Sequence, residues 1–368
     1  MKQIDLKKQN KILITVIAVI LSVTVALSCT IFGVFYMDYG VDPDIPDDVR
    51  AHNVILLIGD GMGYNHIKTA ELYNNGSMSN IRKLSVNGEV ITRSLTAGAT
   101  DSAAAATAMA TGKKTYNGRI SYLNGKSIPT IAEQAKAAGK KVGIVATKAI
   151  TDATPAAFIS HSKSRNNTAE IAAQMVASDV DVLFGLNNDE MKALSSSIKT
   201  ENRDYCVDFE EIGASTSEKI VGLLDEAIPN IGRNTLASLT DIALEKLENE
   251  NGFFLMVEGS KIDTYSHSNE MQNMVDELNA FDAAVSRAVA WARKNGNTTV
   301  IVVADHETGN LKIPADATAD QISNDWFHSD SHTNQNVRYF AYGVGVDKIP
   351  SLIDNTDVYD IIKQILLG

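Results

Sequence analysis

The sequence predicts an α/β fold, a three-layer α/β/α sandwich with a mostly parallel central sheet. Two observations predict it. Short apolar runs rich in Val, Ile and Leu alternate along the chain with longer stretches of helical periodicity. These runs are continuously apolar, which is typical of strands that helices cover on both faces. The composition agrees, because 44% apolar and 21% charged residues are ordinary for a globular protein.

The N-terminal segment departs from this pattern. Four lysines among the first eleven residues precede 26 uncharged residues, Ile12 to Met37. A helix of that length would extend about 39 Å, enough to cross a hydrocarbon core of about 30 Å. The lysines therefore predict a cytoplasmic basic tail over 1–11, a transmembrane helix over 12–37 and an extracytoplasmic remainder.

Two other outcomes stay open for this segment. Ala26-Leu27-Ser28 loosely fits the cleavage site of a signal peptide, and cleavage there would release a secreted domain. Cys29 is a candidate for lipid modification, although Leu27 fits that pattern poorly. All three outcomes export the same domain. We expect the uncleaved anchor, and hence a single-pass protein of the cell membrane.

Residues 38–51 are acidic and contain prolines, which predicts an extended linker. One folded domain is expected over 52–368. Cys206 is the one cysteine of that domain, so its core, and metals if bound, must hold it together without an internal disulfide. The formal net charge of -12 argues against nucleic-acid binding, which depends on Lys and Arg neutralising phosphates.

The predicted elements follow in order along this domain. The apolar runs predict strands at Asn53–Gly59, Lys141–Thr147, Val182–Gly185, Phe253–Glu258, Thr298–Ala304 and Val337–Tyr342. Between them, helical periodicity or composition predicts helices at Ser102–Thr111, Ile128–Ala138, Thr168–Ala177, Asn234–Glu248, Glu270–Lys294 and Val358–Leu366.

Polar side chains stand at the ends of four of these strands. Asp60 follows the first strand, Asp152 closely follows the second, Glu258 ends the fourth, and Asp305-His306 follow the fifth. Because ligands of parallel sheets bind beyond the carboxyl ends of the strands, these side chains are expected to converge.

Two motifs refine this expectation. Gly59–Gly63 (GDGMG) lacks the full spacing of a nucleotide-binding loop, and a carboxylate at its centre would repel a phosphate unless a cation lay between them. Asp60 is therefore predicted to be a metal ligand. Ser102 begins an alanine-rich helix, where its hydroxyl would suit anion binding or a nucleophile. Taken alone, Ser102 is better explained as part of an ordinary helix cap.

The remaining candidates combine carboxylates and imidazoles. Asp263, His267, Asp305, His306 and His332 are donors that suit zinc, whereas Asp, Thr and Glu suit magnesium. A single histidine more often serves packing, but the joint placement of these residues favours a metal centre. By contrast, His66 lies outside these motifs and is predicted to be a surface or loop residue.

At these residues the sequence resembles the alkaline phosphatase family. The matching blocks occur in the family's order and extend over nearly the whole domain. They are Ile58–Gly63, Thr100–Gly112 continuing through 114–118, Thr151–Arg165, Phe253–His267, Ala304–Glu307, and His332–Thr333 with 341–343.

The resemblance implies a compact alkaline-phosphatase-like catalytic domain that hydrolyses phosphate monoesters. It implies a phosphoserine intermediate on Ser102, an Arg165 that binds the phosphate, and two Zn²⁺ and one Mg²⁺. One zinc would be held by Asp263, His267 and His332, and the other by Asp60, Asp305 and His306. Magnesium would use Asp60, Thr154 and Glu258, with Asp152 close by and acting through water.

Departures from the family pattern leave some properties open. Thr264 stands where relatives often carry Lys or His, so the rate, metal preference and pH optimum are not fixed by resemblance. The regions 162–257 and 306–332 are short beside larger family members, which predicts short insertions and a more open site. A homodimer and a monomer both stay open as alternatives. Cobalt or manganese can also occupy similar ligands.

Two other functions remain as alternatives. A phosphodiesterase or sulfatase of the same superfamily is disfavoured, because Arg165 and the magnesium ligands suit a dianionic monoester. A non-catalytic zinc protein is disfavoured because structural zinc sites are normally closed and rich in cysteine.

Overall fold

A computed structural model describes residues 52–76, 79–225 and 235–368. The predicted basic tail, transmembrane or signal segment and acidic linker fall in 1–51, outside the described residues. Within the described ranges, none of the helices combines the length and apolar character needed to cross a bilayer. The described residues all belong to one unit, which extends from Ile45 to Gly368.

Among the described residues, ten strands form the main sheet. Numbered along the chain, with the ranges given at the end of this paragraph, they lie in the order β14, β2, β13, β10, β1, β9, β5, β6, β8, β7. Strand β13 is antiparallel to both of its neighbours, and the other pairings of this sheet are parallel. The predicted α/β fold with a mostly parallel sheet is therefore confirmed. The strands are β1 Asn53–Gly59, β2 Val86–Ile91, β3 Tyr122–Leu123, β4 Lys126–Ser127, β5 Lys141–Ala149, β6 Val182–Leu186, β7 Arg203–Cys206, β8 Lys219–Leu224, β9 Phe253–Gly259, β10 Thr298–Ala304, β11 Glu307–Thr308, β12 His332–Thr333, β13 Val337–Gly343 and β14 Leu352–Asp354.

The helices lie between these strands. The longest, Met271–Asn295, buries apolar residues at helical spacing, including Met274, Leu278 and Phe281. In chain order the helices are α1 Tyr64–Tyr73, α2 Ser102–Thr111, α3 Ile131–Ala137, α4 Ala153–Ile159, α5 Thr168–Ala177, α6 Asp189–Ala193, α7 Ser195–Ile198, α8 Phe209–Ala214, α9 Thr235–Leu247, α10 Lys261–His267, α11 Met271–Asn295 and α12 Asp357–Leu367.

The centre of the sheet positions the polar strand ends. Strands β10, β1, β9 and β5 are adjacent and parallel, and every residue of β1, β9 and β10 is buried. In their register Gly59 lies opposite both Ala304 and Gly259, so these three strands end in one row. Residues that follow them therefore emerge side by side.

A second, two-stranded sheet brings a distant segment to the same edge. Strand β11 immediately follows His306, and it pairs antiparallel with β12 so that Thr308 lies opposite His332. This pairing fixes His332 beside the end of β10, although 25 residues lie between His306 and His332 along the chain.

Candidate active site

One cluster of possible metal ligands lies beyond β1 and β10. Asp60, Asp305 and His306 are buried, and each offers one ligand atom within 4.8 Å of the other two. Nε2 of His306 is 3.5 Å from Asp60 Oδ1 and 3.2 Å from Asp305 Oδ2. The other oxygen of Asp305 accepts hydrogen bonds from the backbone N–H groups of Gly61 (3.0 Å) and His306 (2.9 Å), which orients the carboxylate.

The electrostatics of this cluster favour a cation. Burial, followed by the charges of Asp305 and Asp263, raises the pKa of Asp60. Burial also raises the pKa of Asp305 to about 6. Burial and the charge of His332 lower the pKa of His306 to about 3, which keeps its imidazole neutral and able to act as a ligand.

The second cluster joins α10 to β12. Asp263 and His267 lie one helical turn apart, so they share a face of α10. Nε2 of His267 is 3.0 Å from Nε2 of His332, and each nitrogen is 3.4 Å from Asp263 Oδ1. Nδ1 of His332 donates to the carbonyl of Thr100 at 2.8 Å, and Nδ1 of His267 contacts the carbonyl of Asp330.

These contacts indicate how the second cluster is charged. When Nδ1 carries the proton toward a carbonyl, the Nε2 lone pair points to the other imidazole and to Asp263. When the imidazoles are protonated at both nitrogens instead, burial still opposes ionisation of Asp263, but the hydrogen bond from His332 and the charges of the imidazoles outweigh it and lower the pKa of Asp263. Facing lone pairs beside a carboxylate are the arrangement that a zinc ion satisfies.

The third group contains Thr154 and Glu258. Glu258 ends β9 and is fully buried, and Thr154 lies in the first turn of α4. Neither carboxylate oxygen of Glu258 nor the hydroxyl of Thr154 has a hydrogen-bond partner among the described residues. Burial and the charge of Asp152 raise the pKa of Glu258 to about 8. Because an unpaired buried carboxylate is costly, these oxygens fit a hard cation such as Mg²⁺.

Asp152 is bonded differently from Glu258. Its Oδ1 accepts from Nη2 of Arg165 at 2.9 Å and from the N–H of Ala153 at 2.8 Å, and its Oδ2 is 3.2 Å from Nζ of Lys148. Burial opposes ionisation, but Lys148 and Arg165 outweigh it and lower the pKa of Asp152. Asp152 therefore holds cationic side chains at the edge of the site.

Ser102 lies beside the first cluster. It is the first residue of α2 and is 3% exposed, so its hydroxyl is close to the positive end of the helix. Its Oγ is 3.5 Å from Asp60 Oδ1 and 3.3 Å from His306 Nε2. Asp101 caps α2 by accepting from the N–H of Ala104 at 3.0 Å.

Arg165 lies beside this helix end. Its backbone N–H donates to the carbonyl of Gly118 at 2.6 Å, and Gly118 in turn donates to Asp101. Nη1 of Arg165 is 3.6 Å from Asp101 Oδ2, and the side chain is 28% exposed. The guanidinium is thus held by Asp101 and Asp152 while it remains open to a ligand.

Three residues of the site were not predicted from the sequence. Thr308 donates to Asp263 Oδ1 at 2.6 Å and lies 3.2 Å from Nδ1 of His306, so one buried hydroxyl joins both clusters. Glu307 is buried and accepts from the hydroxyl of Thr333, next to His332. Lys148 carries the third missed group, an ammonium beside Asp152.

The turn after Asp60 depends on a glycine. Gly61 has a φ of +71°, and a Cβ there would approach the hydroxyl of Thr308 to 2.8 Å, so glycine is required for the close turn.

The expected surface or loop position of His66 was wrong. His66 lies in α1, is fully buried and contacts Oγ of Ser266 at 3.0 Å, and burial lowers its pKa to about 4.

These features are typical of a metal-binding hydrolase of the α/β class, with a buried serine beside one acid and imidazole cluster, a second such cluster next to the first, and an adjacent arginine. The family model described as alkaline phosphatase matches residues 51–317. The chain therefore belongs to the alkaline phosphatase family, whose activity is the hydrolysis of phosphate monoesters.

Similar proteins agree on the family. The chain is 31% identical to "Alkaline phosphatase 4" of Bacillus subtilis (strain 168), over 87% of this chain and 90% of that protein. It is also 31% identical to the alkaline phosphatase of Escherichia coli (strain K12), over 88% of each.

Solved structures extend this likeness to the fold. The alkaline phosphatase from the Antarctic bacterium TAB5 matches with a TM-score of 0.77 and 31% identity, covering 87% of this chain and 98% of that one. A variant of the TAB5 enzyme, with Mg bound in the M3 site, matches with a TM-score of 0.77 and 32% identity, covering 87% and 99%.

Proposed function

We propose that this protein is an alkaline phosphatase that acts through a phosphoserine on Ser102. The observation that carries the proposal is the position of the Ser102 hydroxyl, 3.5 Å from Asp60 and 3.3 Å from His306 at the start of α2. A buried serine with a carboxylate and a neutral imidazole at this distance suits a nucleophile whose hydroxyl must lose its proton.

The metal content proposed is two Zn²⁺ and one Mg²⁺. Asp263, His267 and His332 would hold one zinc, Asp60, Asp305 and His306 the other, and Asp60, Thr154 and Glu258 the magnesium, with Asp152 nearby. Two clusters that combine carboxylate oxygen with imidazole nitrogen, and a third group that offers only oxygen atoms, support this division. When bound, such ions supply positive charge that lowers the pKa of a hydroxyl or water and stabilises a leaving oxygen.

The protein's own residues supply orientation and charge. Ser102 Oγ attacks phosphorus, a serine O–P bond forms, and the ester P–O bond breaks as the alcohol leaves. Water then cleaves the serine O–P bond and releases inorganic phosphate. Arg165 offers a planar pair of N–H donors to two phosphate oxygens, and Asp101 and Asp152 hold its guanidinium in place. The N-terminus of α2 adds a favourable field for the developing negative charge.

The setting of this domain is also proposed. We infer a three-layer sandwich anchored by a single membrane-spanning helix over 12–37, with the catalytic domain outside the cell membrane and a possible homodimer. The uncharged run after four lysines supports the anchor. Two measurements would distinguish an anchored protein from one released by signal cleavage. These are the sensitivity of the domain to protease added outside intact cells and the mass of the mature chain.

Phosphate release by the full-length protein in detergent, with Zn²⁺ and Mg²⁺, tests the activity. We expect chelator-sensitive hydrolysis of p-nitrophenyl phosphate that exceeds hydrolysis of bis(p-nitrophenyl) phosphate. Ser102→Ala should lower kcat by about a thousandfold or more. Ser160→Ala is the matched control, because Ser160 is also buried but its hydroxyl donates to the carbonyl of Ala156 at 2.7 Å. Full activity of Ser102→Ala would refute the phosphoserine, and faster diester cleavage would refute the substrate class.

A further inference from the structure

Lys148 is the cation that the mechanism has not used. It lies near the carboxyl end of β5, and its Nζ is 3.2 Å from Oδ2 of Asp152. The other oxygen of Asp152 bonds to Arg165 and to the N–H of Ala153. Lys148 and Arg165 therefore hold Asp152 from two sides, and neither oxygen of this carboxylate is left without a partner.

Other acids of the site also act on the charge of Lys148. The negative charges of Asp152, Asp60 and Glu258 stabilise its ammonium, and this ammonium in turn favours the ionised form of Glu277 on α11. Burial opposes protonation of Lys148, but these acids outweigh it and raise its pKa, so the ammonium stays charged. The site thus contains a permanent positive charge that comes from the protein itself.

The neighbouring oxygens contrast with those of Asp152. Both oxygens of Glu258 and the hydroxyl of Thr154 lack hydrogen-bond partners in the part of the chain that the structure describes. We name these three atoms the Thr154–Glu258 cradle. A divalent ion in the cradle and the ammonium of Lys148 would be attracted by the same carboxylates, and the two cations would repel each other.

We infer that Lys148 is a positioning residue that sets the affinity of the Thr154–Glu258 cradle for Mg²⁺. It does so in two ways, by keeping the carboxylate of Asp152 in an ion pair so that it is not free for Mg²⁺, and by repelling a divalent ion in the cradle. The inference rests on the proposed function, in which the cradle holds magnesium. It also bears on Thr264, which is neutral where relatives often carry Lys or His. Lys148 on β5 supplies a positive charge to the site that Thr264 lacks.

Magnesium titration of the full-length protein tests the inference directly. The protein is stripped of Mg²⁺, loaded with Zn²⁺, and titrated with MgCl₂ in a calorimeter. Lys148→Met, which keeps the length of the side chain but removes its charge, should bind Mg²⁺ at least about tenfold more tightly than the unaltered protein. Lys148→Arg keeps the charge and should bind within about threefold of the unaltered protein.

The controls separate a local charge effect from a general loss of a lysine. Lys136 on α3 provides the comparison, because its side chain is 21% exposed against 29% for Lys148 and its ammonium pairs with Asp181 at 2.9 Å. Lys136→Met removes this ammonium. It should leave the Mg²⁺ affinity unchanged. Zinc content, measured by mass spectrometry, should stay constant in all variants. Lys148→Gln is made in parallel in case the methionine destabilises the fold.

The outcomes distinguish this inference from the proposed function. Equal or weaker Mg²⁺ binding by a folded, zinc-loaded Lys148→Met or Lys148→Gln overturns the role of Lys148, as does an absence of Mg²⁺ binding in every variant. Glu258→Gln tests the cradle itself, because it should abolish Mg²⁺ binding with and without Lys148→Met. Failure of the phosphatase activity would instead appear as a lack of Ser102-dependent hydrolysis.

Discussion

At the scale of single residues, Thr308 connects the two clusters. Its hydroxyl donates to Asp263 and lies within hydrogen-bond distance of Nδ1 of His306. If Nδ1 carries a proton toward this hydroxyl, Nε2 of His306 keeps its lone pair for Asp60, Asp305 and a bound metal. One side chain therefore selects the tautomer in one cluster and orients the carboxylate in the other.

Thr308→Val should weaken zinc binding by about 10- to 100-fold, which is the usual effect of removing an outer hydrogen bond from metal ligands. Valine keeps the shape of threonine but leaves Asp263 without its donor. Competition with a chromophoric chelator measures the affinity. Thr308→Ser is the control, because it keeps the hydroxyl and should bind zinc nearly as the unaltered protein does. Unchanged affinity in Thr308→Val would contradict this role.

The residues that the sequence revealed differ from those it missed in a physical way. Asp60, Glu258 and Asp305 could be predicted because each one ends or follows an apolar run, and parallel strands end at one edge. Lys148 lies within the strand that sequence reasoning ended at Thr147, and the role of Thr308 depends on partners 45 and 2 residues away. Such roles depend on contacts that periodicity does not encode.

At the scale of elements, the start of α2 combines stability with function. Asp101 caps the helix through the N–H of Ala104, accepts from Gly118 and faces Arg165. The same carboxylate therefore fixes the helix end that carries Ser102 and the guanidinium that would bind phosphate.

Asp101→Ala should destabilise the protein by about 1 kcal/mol, as loss of an N-cap usually does, and should also lower kcat/KM. Asp208→Ala provides the comparison, because Asp208 caps α8 through the N–H of Glu211 at 2.8 Å and lies on the surface. Asp208→Ala should lower the free energy of unfolding by the same amount or less and should leave kcat/KM unchanged. Urea unfolding and p-nitrophenyl phosphate kinetics measure the two effects. Equal kinetics in both variants would show that Asp101 serves only as a cap.

Sequence reasoning located elements unevenly. The buried strands β1, β9 and β10 were predicted to within one residue, because they are continuously apolar. Strand β2 (VNGEVI) was missed, since its polar residues and glycine resemble a loop. The short helix α4 was also missed, because Pro155 suggests a break although proline is tolerated in a first turn. The direction of β13 follows from the path of the chain, which local sequence does not specify.

At the scale of the whole molecule, the buried acids link metal binding to stability. The pKa of Glu258 is about 8 and that of Asp305 about 6, above the usual value of about 4 for an unfolded carboxyl. Without metal, these two carboxyls keep protons that they would lose in the unfolded chain, so their own contribution to stability falls as pH rises from about 4 to about 8. Metals need the same groups deprotonated, so their stabilisation grows over that range.

The difference in Tm between the metal-loaded and the chelated protein should therefore widen with pH. We expect the gap to be at least about 3 °C larger at pH 9 than at pH 6. Scanning calorimetry with Zn²⁺ and Mg²⁺ or with excess EDTA measures it at both pH values. A gap that stayed constant or narrowed toward pH 9 would mean that these carboxyls are not the groups that metals bind.

The composition of α2 has a consequence for how the enzyme can vary. Every residue of this helix is buried, and most of them are alanine. Alanine loses almost no side-chain entropy when it is buried, so the backbone of α2 can lie close to its neighbours at little cost. Apart from glycine, any replacement for such an alanine is larger and would overpack the core. Mutational drift and directed evolution are therefore expected to leave α2 nearly fixed and to change substrate preference through the loops around it.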